Sequence, residues 1–229
     1  NIPKKKEEKD KVMKKGLFIT FEGCEGSGKS TQARKLFSYL KKNNYRCILT
    51  HEPGGTKIAE KIRKILLEKS HTTLSSLAEL FLYLASRSQH TEELIIPAIK
   101  DGKIVISDRY ADSSLAYQGA ARQISLTTVR KLNKIATKGY NPNITFLIDI
   151  DPNKGLKRLK AKDRIENEEV AFHKKVRKAY VNLSRKEVKR IKLIDGIKAK
   201  EEIFREILEI VSSLSWFHGE KFPKKENVR

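Results

Sequence analysis

The 229-residue chain is 38% hydrophobic and 34% charged, enough apolar material for a sizeable core beneath a heavily charged surface. No stretch approaches the roughly 18 apolar residues of a membrane span, and two cysteines, Cys24 and Cys47, are too few for a disulfide framework, so a reducing cytoplasm is the expected setting. The net charge of +21, carried by 35 lysines and 14 arginines, is spread over helix faces and both ends without aromatic interleaving, which reads as a solvated surface hospitable to polyanionic ligands and not as a nucleic-acid site.

Residues 1–12 are polar and read as a disordered extension ahead of Met13, the only methionine. "GLFITFEG" (16–23) is the first buried strand, followed by an amphipathic helix over 29–42 that ends at Asn43-Asn44. "RCILTHE" (46–52) is the second strand, "PGGT" (53–56) a turn, and 57–68 a helix with Ile58, Ile62, Ile65 and Leu66 on one face. Residues 74–100 read as a long helix or helix pair that Pro97 bends or interrupts. "GKIVISDRY" (102–110) is the third strand, with helical pattern over 113–121 and 126–138. "NITFLIDID" (143–151) is the fourth strand, then a basic helix over 153–161 and another near 167–183, with a mobile segment at 155–166. "RIKLID" (190–195) is the fifth strand, 199–215 a closing amphipathic helix, and 216–229 a basic tail. Alternating strands and helices predict an α/β fold with a mostly parallel sheet, in one domain over 13–215.

Gly23-Cys24-Glu25-Gly26-Ser27-Gly28-Lys29-Ser30 matches G-x-x-x-x-G-K-[ST] between a strand and a helix, the pattern of a P-loop. Its glycines let backbone N–H groups turn in around a phosphate, Lys29 reaches the β- and γ-phosphates, and Ser30 offers its hydroxyl to Mg2+. Asp108-Arg109-Tyr110 falls at the carboxyl end of the third strand, where open α/β sheets bind ligands. There Asp108 has the chemistry to hold Mg2+ through water, and Arg109 to grip a phosphate with its planar fork. Lys157, Arg158, Lys160, Lys162 and Arg164 form a basic cluster that is either a solvated face or a cover over phosphates. His51, His71, His90, His173 and His218 show no ligand spacing and read as surface or packing residues; Trp216 and Phe217 read as core or interface.

These residues resemble the thymidylate (dTMP) kinases, of P-loop nucleoside-monophosphate kinase fold: a five-stranded parallel sheet flanked by helices, with a LID. The resemblance runs from Phe21 through Thr31, then Glu52-Pro53-Gly54-Gly55-Thr56, Tyr83-Leu84-Ala85-Ser86-Arg87, Asp108-Arg109-Tyr110, Ser113-Ser114, Tyr117-Gln118-Gly119 and Asp163-Arg164-Ile165-Glu166. It implies transfer of the ATP γ-phosphoryl group to dTMP, with Mg2+, in a homodimer. By the same resemblance, Gly23 to Thr31 bind ATP, Glu25 lies near the dTMP sugar, Tyr83 stacks on thymine and Arg87 reaches the base O4. Ser114 faces the base edge, Tyr117 crowds the 2′ position, and Arg109, with Arg63, holds the acceptor phosphate. Pro53, Ser113, Gln118 and Glu166 complete the acceptor side.

The family places its mobile arginine either directly after the position of Glu25 or in the LID. Gly26 and the basic segment 155–166 point to the LID-arginine, bacterial type, with Arg158 and Arg164 as its arginines. His51 departs from the arginine usual before "EPGG". Another nucleoside-monophosphate or deoxynucleoside kinase is the alternative, against which Tyr83, Arg87 and Tyr117 argue. A P-loop GTPase lacks its Asn-Lys-x-Asp here, and a nucleic-acid-dependent ATPase normally needs a larger chain.

Overall fold

The computed structural model describes residues 15–159 and 163–217. The expected extension 1–12, Lys160 and Lys162 of the basic cluster, His218, and 218–229 of the tail lie outside the described residues.

Five parallel strands form one sheet: β1 (Leu17–Glu22), β2 (Cys47–His51), β3 (Ile104–Asp108), β4 (Ile144–Asp149) and β5 (Ile191–Asp195), in the order β2-β3-β1-β4-β5. β1 is buried along its whole length, as befits a central parallel strand covered on both faces. Leu17, Ile19 and Phe21 point to the layer of α1 (Lys29–Lys42) and α9 (Lys200–Ser212), where they meet Leu36, Leu40, Ile207 and Val211. On the opposite face Phe18 and Val105 pack on α4 (Ile96–Lys100), while Leu147 packs with α3 (Ser76–His90), α6 (Leu126–Ala136) and α8 (Val170–Lys186).

The helix expected over 74–100 is one run, α3 continuing through a π-helical turn (Thr91–Ile95) into α4. Pro97 sits in the first turn of α4, and the widened turn before it accommodates the missing N–H donor without a break. A second π-helical turn (Leu115–Ala121) follows the short α5 (Ala111–Ser114).

Three expectations need correction. The basic helix of 153–161 is only α7 (Pro152–Leu156), started by Asp151 accepting from the Asn153 N–H at 2.9 Å. The helix expected from 167 begins at 170, because the Asp163 carboxylate accepts the N–H groups of Ile165 and Glu166, each at 2.9 Å, and holds a turn there. In α2 (Lys57–Leu67) the apolar set divides: Leu66 and Ala59 are buried, while Ile58 and Ile65 point to solvent. Phe217, expected as core or interface, is buried and stacks edge-on against Tyr45. Among the described residues no helix is long and apolar enough to cross a membrane.

Candidate active site

Strand order reverses at β1, and the carboxyl ends of β1 and β3 open there into a cavity of about 480 Å3. The loop 23–30 forms one wall and leads directly into α1, whose first turn carries no acidic residue, leaving its N–H groups and positive dipole end for an anion. Lys29 Nζ lies 3.4 Å from the Cys24 carbonyl and 3.5 Å from the Glu25 carboxylate. Gly26 has φ 66°, and a Cβ there would stand 2.0 Å from the carbonyl oxygen of Gly155; the reciprocal Cβ on Gly155 would stand 2.2 Å from that of Glu25. The loop and α7 therefore meet backbone to backbone. Cys24 faces away from the cavity, buried, with burial pushing its thiol up to about 12, so it has no nucleophilic role near neutrality. Thr31 lies in the first turn of α1, and Gly23, Ser27 and Gly28 contribute backbone.

Arg109 occupies the centre. Its backbone has φ 72°, an uncommon conformation for a residue with a Cβ, held by its N–H on Phe21 O at 2.8 Å and its carbonyl on the Ser107 hydroxyl at 2.8 Å. Its Nη1 donates to the Gly23 carbonyl at 3.0 Å, to Ser113 at 3.3 Å and to the Tyr180 hydroxyl at 3.2 Å. Its Nη2 donates to Glu25 at 2.7 Å and to the Tyr117 hydroxyl at 3.1 Å. Burial by itself would raise the Glu25 carboxyl, but Arg109, Lys29 and the Tyr117 hydroxyl override it and hold it at about 2.

The far side of the cavity is lined by Tyr83, Arg87, Ser113, Tyr117 and Gln118, with Pro53, Arg63 and Glu166 at its edges. Arg63 donates to Pro53 O at 2.7 Å, and Gln118 is held by Glu79 at 2.9 Å. Ser114 is not at the cavity wall. Its hydroxyl accepts from Arg87 Nη1 at 2.8 Å, which places it behind the arginine. Burial raises the Glu166 carboxyl, with Asp163 and Glu25 adding to the effect.

Arg158 and Arg164 part ways. Arg158 is exposed, and its Nη1 donates to the Gly26 carbonyl at 3.2 Å. Arg164 turns from the cavity: its Nε donates to Leu66 O at 2.8 Å, and its Nη2 stands 2.8 Å from the buried Glu79 carboxylate. Asp108 and Ser30 line the cavity beside Lys29, and Asp108 Oδ1 is buried without a hydrogen-bond partner.

A thymidylate kinase family model matches residues 21–207. The chain is 46% identical over 200 residues to a thymidylate kinase of Clostridium novyi, covering 85% of this chain and 98% of that protein. It is 47% identical over 201 residues to one from a Sulfurihydrogenibium species, covering 87% and 98%. The crystal structure of thymidylate kinase from Ehrlichia chaffeensis matches with a TM-score of 0.72 at 34% identity, over 86% of this chain and 98% of that one. The chain belongs to the thymidylate kinase family.

Its reaction is the phosphorylation of dTMP to dTDP with ATP. Around a thymidylate kinase cavity of this kind the structure adds residues that the sequence reading left unassigned. Glu22 accepts from the Tyr110 N–H at 2.8 Å and from the Ser113 and Tyr180 hydroxyls, each at 2.7 Å. Tyr180 lies in an apolar stripe with Val176 and Leu183, where a lone hydroxyl was the available signal. Glu79 sits likewise inside the apolar run of α3, and a carboxylate there required a cationic partner.

Burial, reinforced by Asp112, pushes the Glu22 carboxyl from its ordinary 4.5 up to about 7. The folded chain thus holds this proton more tightly than the unfolded one, so Glu22 makes stability fall as pH rises from 4.5 to about 7. Glu25 acts oppositely: its contribution is present above 4.5 and is lost as pH falls toward 2. Thermal unfolding of Glu22→Gln against pH should show a flatter Tm profile than wild type across the upper window. An unchanged slope would assign the dependence to another group.

Proposed function

We propose that this cavity holds dTMP between Arg109 and the Tyr83–Arg87–Tyr117 wall, with the ATP phosphates on the loop 23–30. The observation that carries this reading is the set of three bonds from one guanidinium to both sides of the site. Arg109 reaches the phosphate loop at Gly23 and the acceptor side at Glu25 and Tyr117, so a phosphate that it grips lies against the donor phosphates on Lys29. The acceptor phosphate, with a second pKa of about 6, is mostly ionised at neutral pH and needs no general base. His51, the histidine at the cavity wall among the described residues, is paired with Glu60 at 2.8 Å. Catalysis then rests on alignment by Arg109 and charge neutralisation by Lys29, Arg109 and an arginine of the LID. Tyr117, tied by its hydroxyl to Glu25 at 2.7 Å, is placed to crowd a 2′-hydroxyl.

Mg2+ fits the residues present: the buried, unpartnered Asp108 Oδ1 suits a metal-bound water, and the Ser30 hydroxyl lies at the same wall. Held by Ser30 and, through water, by Asp108, the ion would supply positive charge to neutralise the phosphates. Residues 155–166 are the proposed LID of a 13–215 kinase domain, and a reducing cytoplasm suits the free thiols Cys24 and Cys47.

We assign the LID-arginine type. The Gly155 carbonyl leaves no room for a side chain at position 26, so that charge comes from elsewhere. Arg158 is the better candidate, being exposed and bonded to the loop, whereas Arg164 is committed to Glu79 and Leu66. The apolar surface of α2 and α3, with Ile58, Ile65, Leu77 and Phe81 each 44–53% exposed, suits a second copy of this chain in a homodimer.

ADP release with Mg-ATP and dTMP, dUMP, dCMP, UMP or GMP as acceptor tests the reading: a strong preference for dTMP is expected, and activity with a ribonucleotide alone would overturn it. Arg158→Ala should lower kcat by about a hundredfold or more with little change in Tm. Arg164→Ala should act mainly on stability, by about 3 kcal/mol for breaking a buried pair; equal, small losses of kcat would sink the LID assignment. Phe81→Asp should convert a sedimenting dimer to monomer, and a wild-type chain that sediments as a monomer would refute the interface.

A further inference from the structure

Behind the acceptor wall lies a buried polar chain that the phosphoryl-transfer chemistry does not use. Arg87, 1% exposed, spends four of its five N–H donors on the protein. Nε donates to Glu52 Oε2 at 2.8 Å, Nη1 to Ser114 at 2.8 Å and Asn133 at 2.6 Å, and Nη2 to Tyr110 O at 3.1 Å. One Nη2 hydrogen is left without a protein partner among the described residues, and Arg87 lines the cavity. A single fixed donor at that wall accepts a carbonyl oxygen on a base edge and opposes an amino group.

What fixes the fork is one step further back. The other oxygen of Glu52 lies 3.1 Å from His90 Nδ1, and His90 Nε2 lies 2.7 Å from the Thr50 hydroxyl. A carboxylate only accepts, so Nδ1 carries the hydrogen and Nε2 accepts from Thr50. His90 is fully buried, and Gly55 closes against it: a Cβ on Gly55 would stand 2.6 Å from the imidazole. The ring therefore has one position, bridging β2, the turn after it and the end of α3. It holds the Glu52 carboxylate at one oxygen while Arg87 takes the other.

We propose that His90 is a positioning residue for base selection, acting through Glu52 to aim the one remaining Arg87 donor at a pyrimidine carbonyl and against an exocyclic amine. This rests on the reading of Arg87 as the base-facing residue. It assigns a role to a histidine that spacing alone presents as packing.

Two substitutions separate positioning from packing. His90→Asn keeps a nitrogen bonded to Cγ, in place of Nδ1, and loses the Thr50 contact; His90→Gln keeps a nitrogen in place of Nε2 and loses the Glu52 contact. With the full chain and Mg-ATP, kcat and KM are measured for dTMP and dCMP, alongside Tm. His90→Gln should raise KM for dTMP more than it lowers kcat, and should cut the dTMP-to-dCMP ratio of kcat/KM about tenfold, the scale of one lost hydrogen bond to a charged group. His90→Asn should keep most of that ratio even where its Tm drops. Equal ratios in the two variants, or ratios that simply follow Tm, would overturn the proposal. Arg87→Lys separates the two levels. If it leaves the ratio intact, the base-facing reading fails and this inference with it; if it collapses the ratio while His90→Gln does not, this inference alone fails.

Discussion

The contact on which the site depends is the ion pair of partly buried Arg109 with buried Glu25, 2.7 Å apart at the junction of β3 with the phosphate loop. Buried ion pairs of this kind are weak sources of stability, because desolvation offsets most of the attraction. Here the backbone adds a further penalty, since φ 72° at a residue with a Cβ costs on the order of 1–3 kcal/mol. The geometry makes sense as placement. The twist at Arg109 swings its side chain off β3 and across to the loop after β1, so two neighbouring strands present one charge between them. Ser113, Tyr117, Tyr180 and Glu22 then converge on that charge from α5, the following π-helical turn, α8 and β1.

A second constraint acts on the opposite wall. Gly26 and Gly155 touch through their backbones, which brings α7 hard against the phosphate loop and excludes any side chain from position 26. The same contact brings Arg158 close to the loop: it lies one turn beyond Gly155, its N–H bonded to the Gly155 carbonyl at 3.0 Å and its side chain on Gly26. A loop with no room for a side chain at position 26 thus has the Arg158 guanidinium bonded to that residue's carbonyl.

How far the sequence spoke depended on range. Strands and the phosphate loop were legible because their signals are local: apolar runs of β length, and glycines at fixed offsets before Lys29. All five strands fall inside the expected ranges, with ends trimmed by at most two residues. The helix expected over 153–161 stops after Leu156, and the π-helical turns have no periodicity of their own to read. Residues that act on other site residues were the least visible. Tyr180 is 71 positions from Arg109, and His90 is 38 from Glu52; each looks like packing until the fold brings its polar atom to a partner. Ser114 shows the reverse, since a position beside the acceptor wall turned out to hold Arg87 instead of facing the cavity.

The two ends of the site are held to different degrees, and the difference follows from what each must do. On the proposed reading, the acceptor wall selects a base, and selection needs a donor whose direction is set before the ligand arrives; Arg87, with four internal bonds and Glu52 fixed behind it, has almost no freedom to re-aim. The transfer end must favour a charge distribution that exists only as the phosphoryl group moves. A cation locked there beforehand would bind ground state and transition state alike and gain nothing in rate. Arg158, exposed and attached by a single bond to a loop carbonyl, has the opposite construction from Arg87. Arg109 stands between them in both position and restraint: partly buried and charged, it is bonded to the Glu25 carboxylate, an anion that on this reading an incoming phosphate dianion outcompetes.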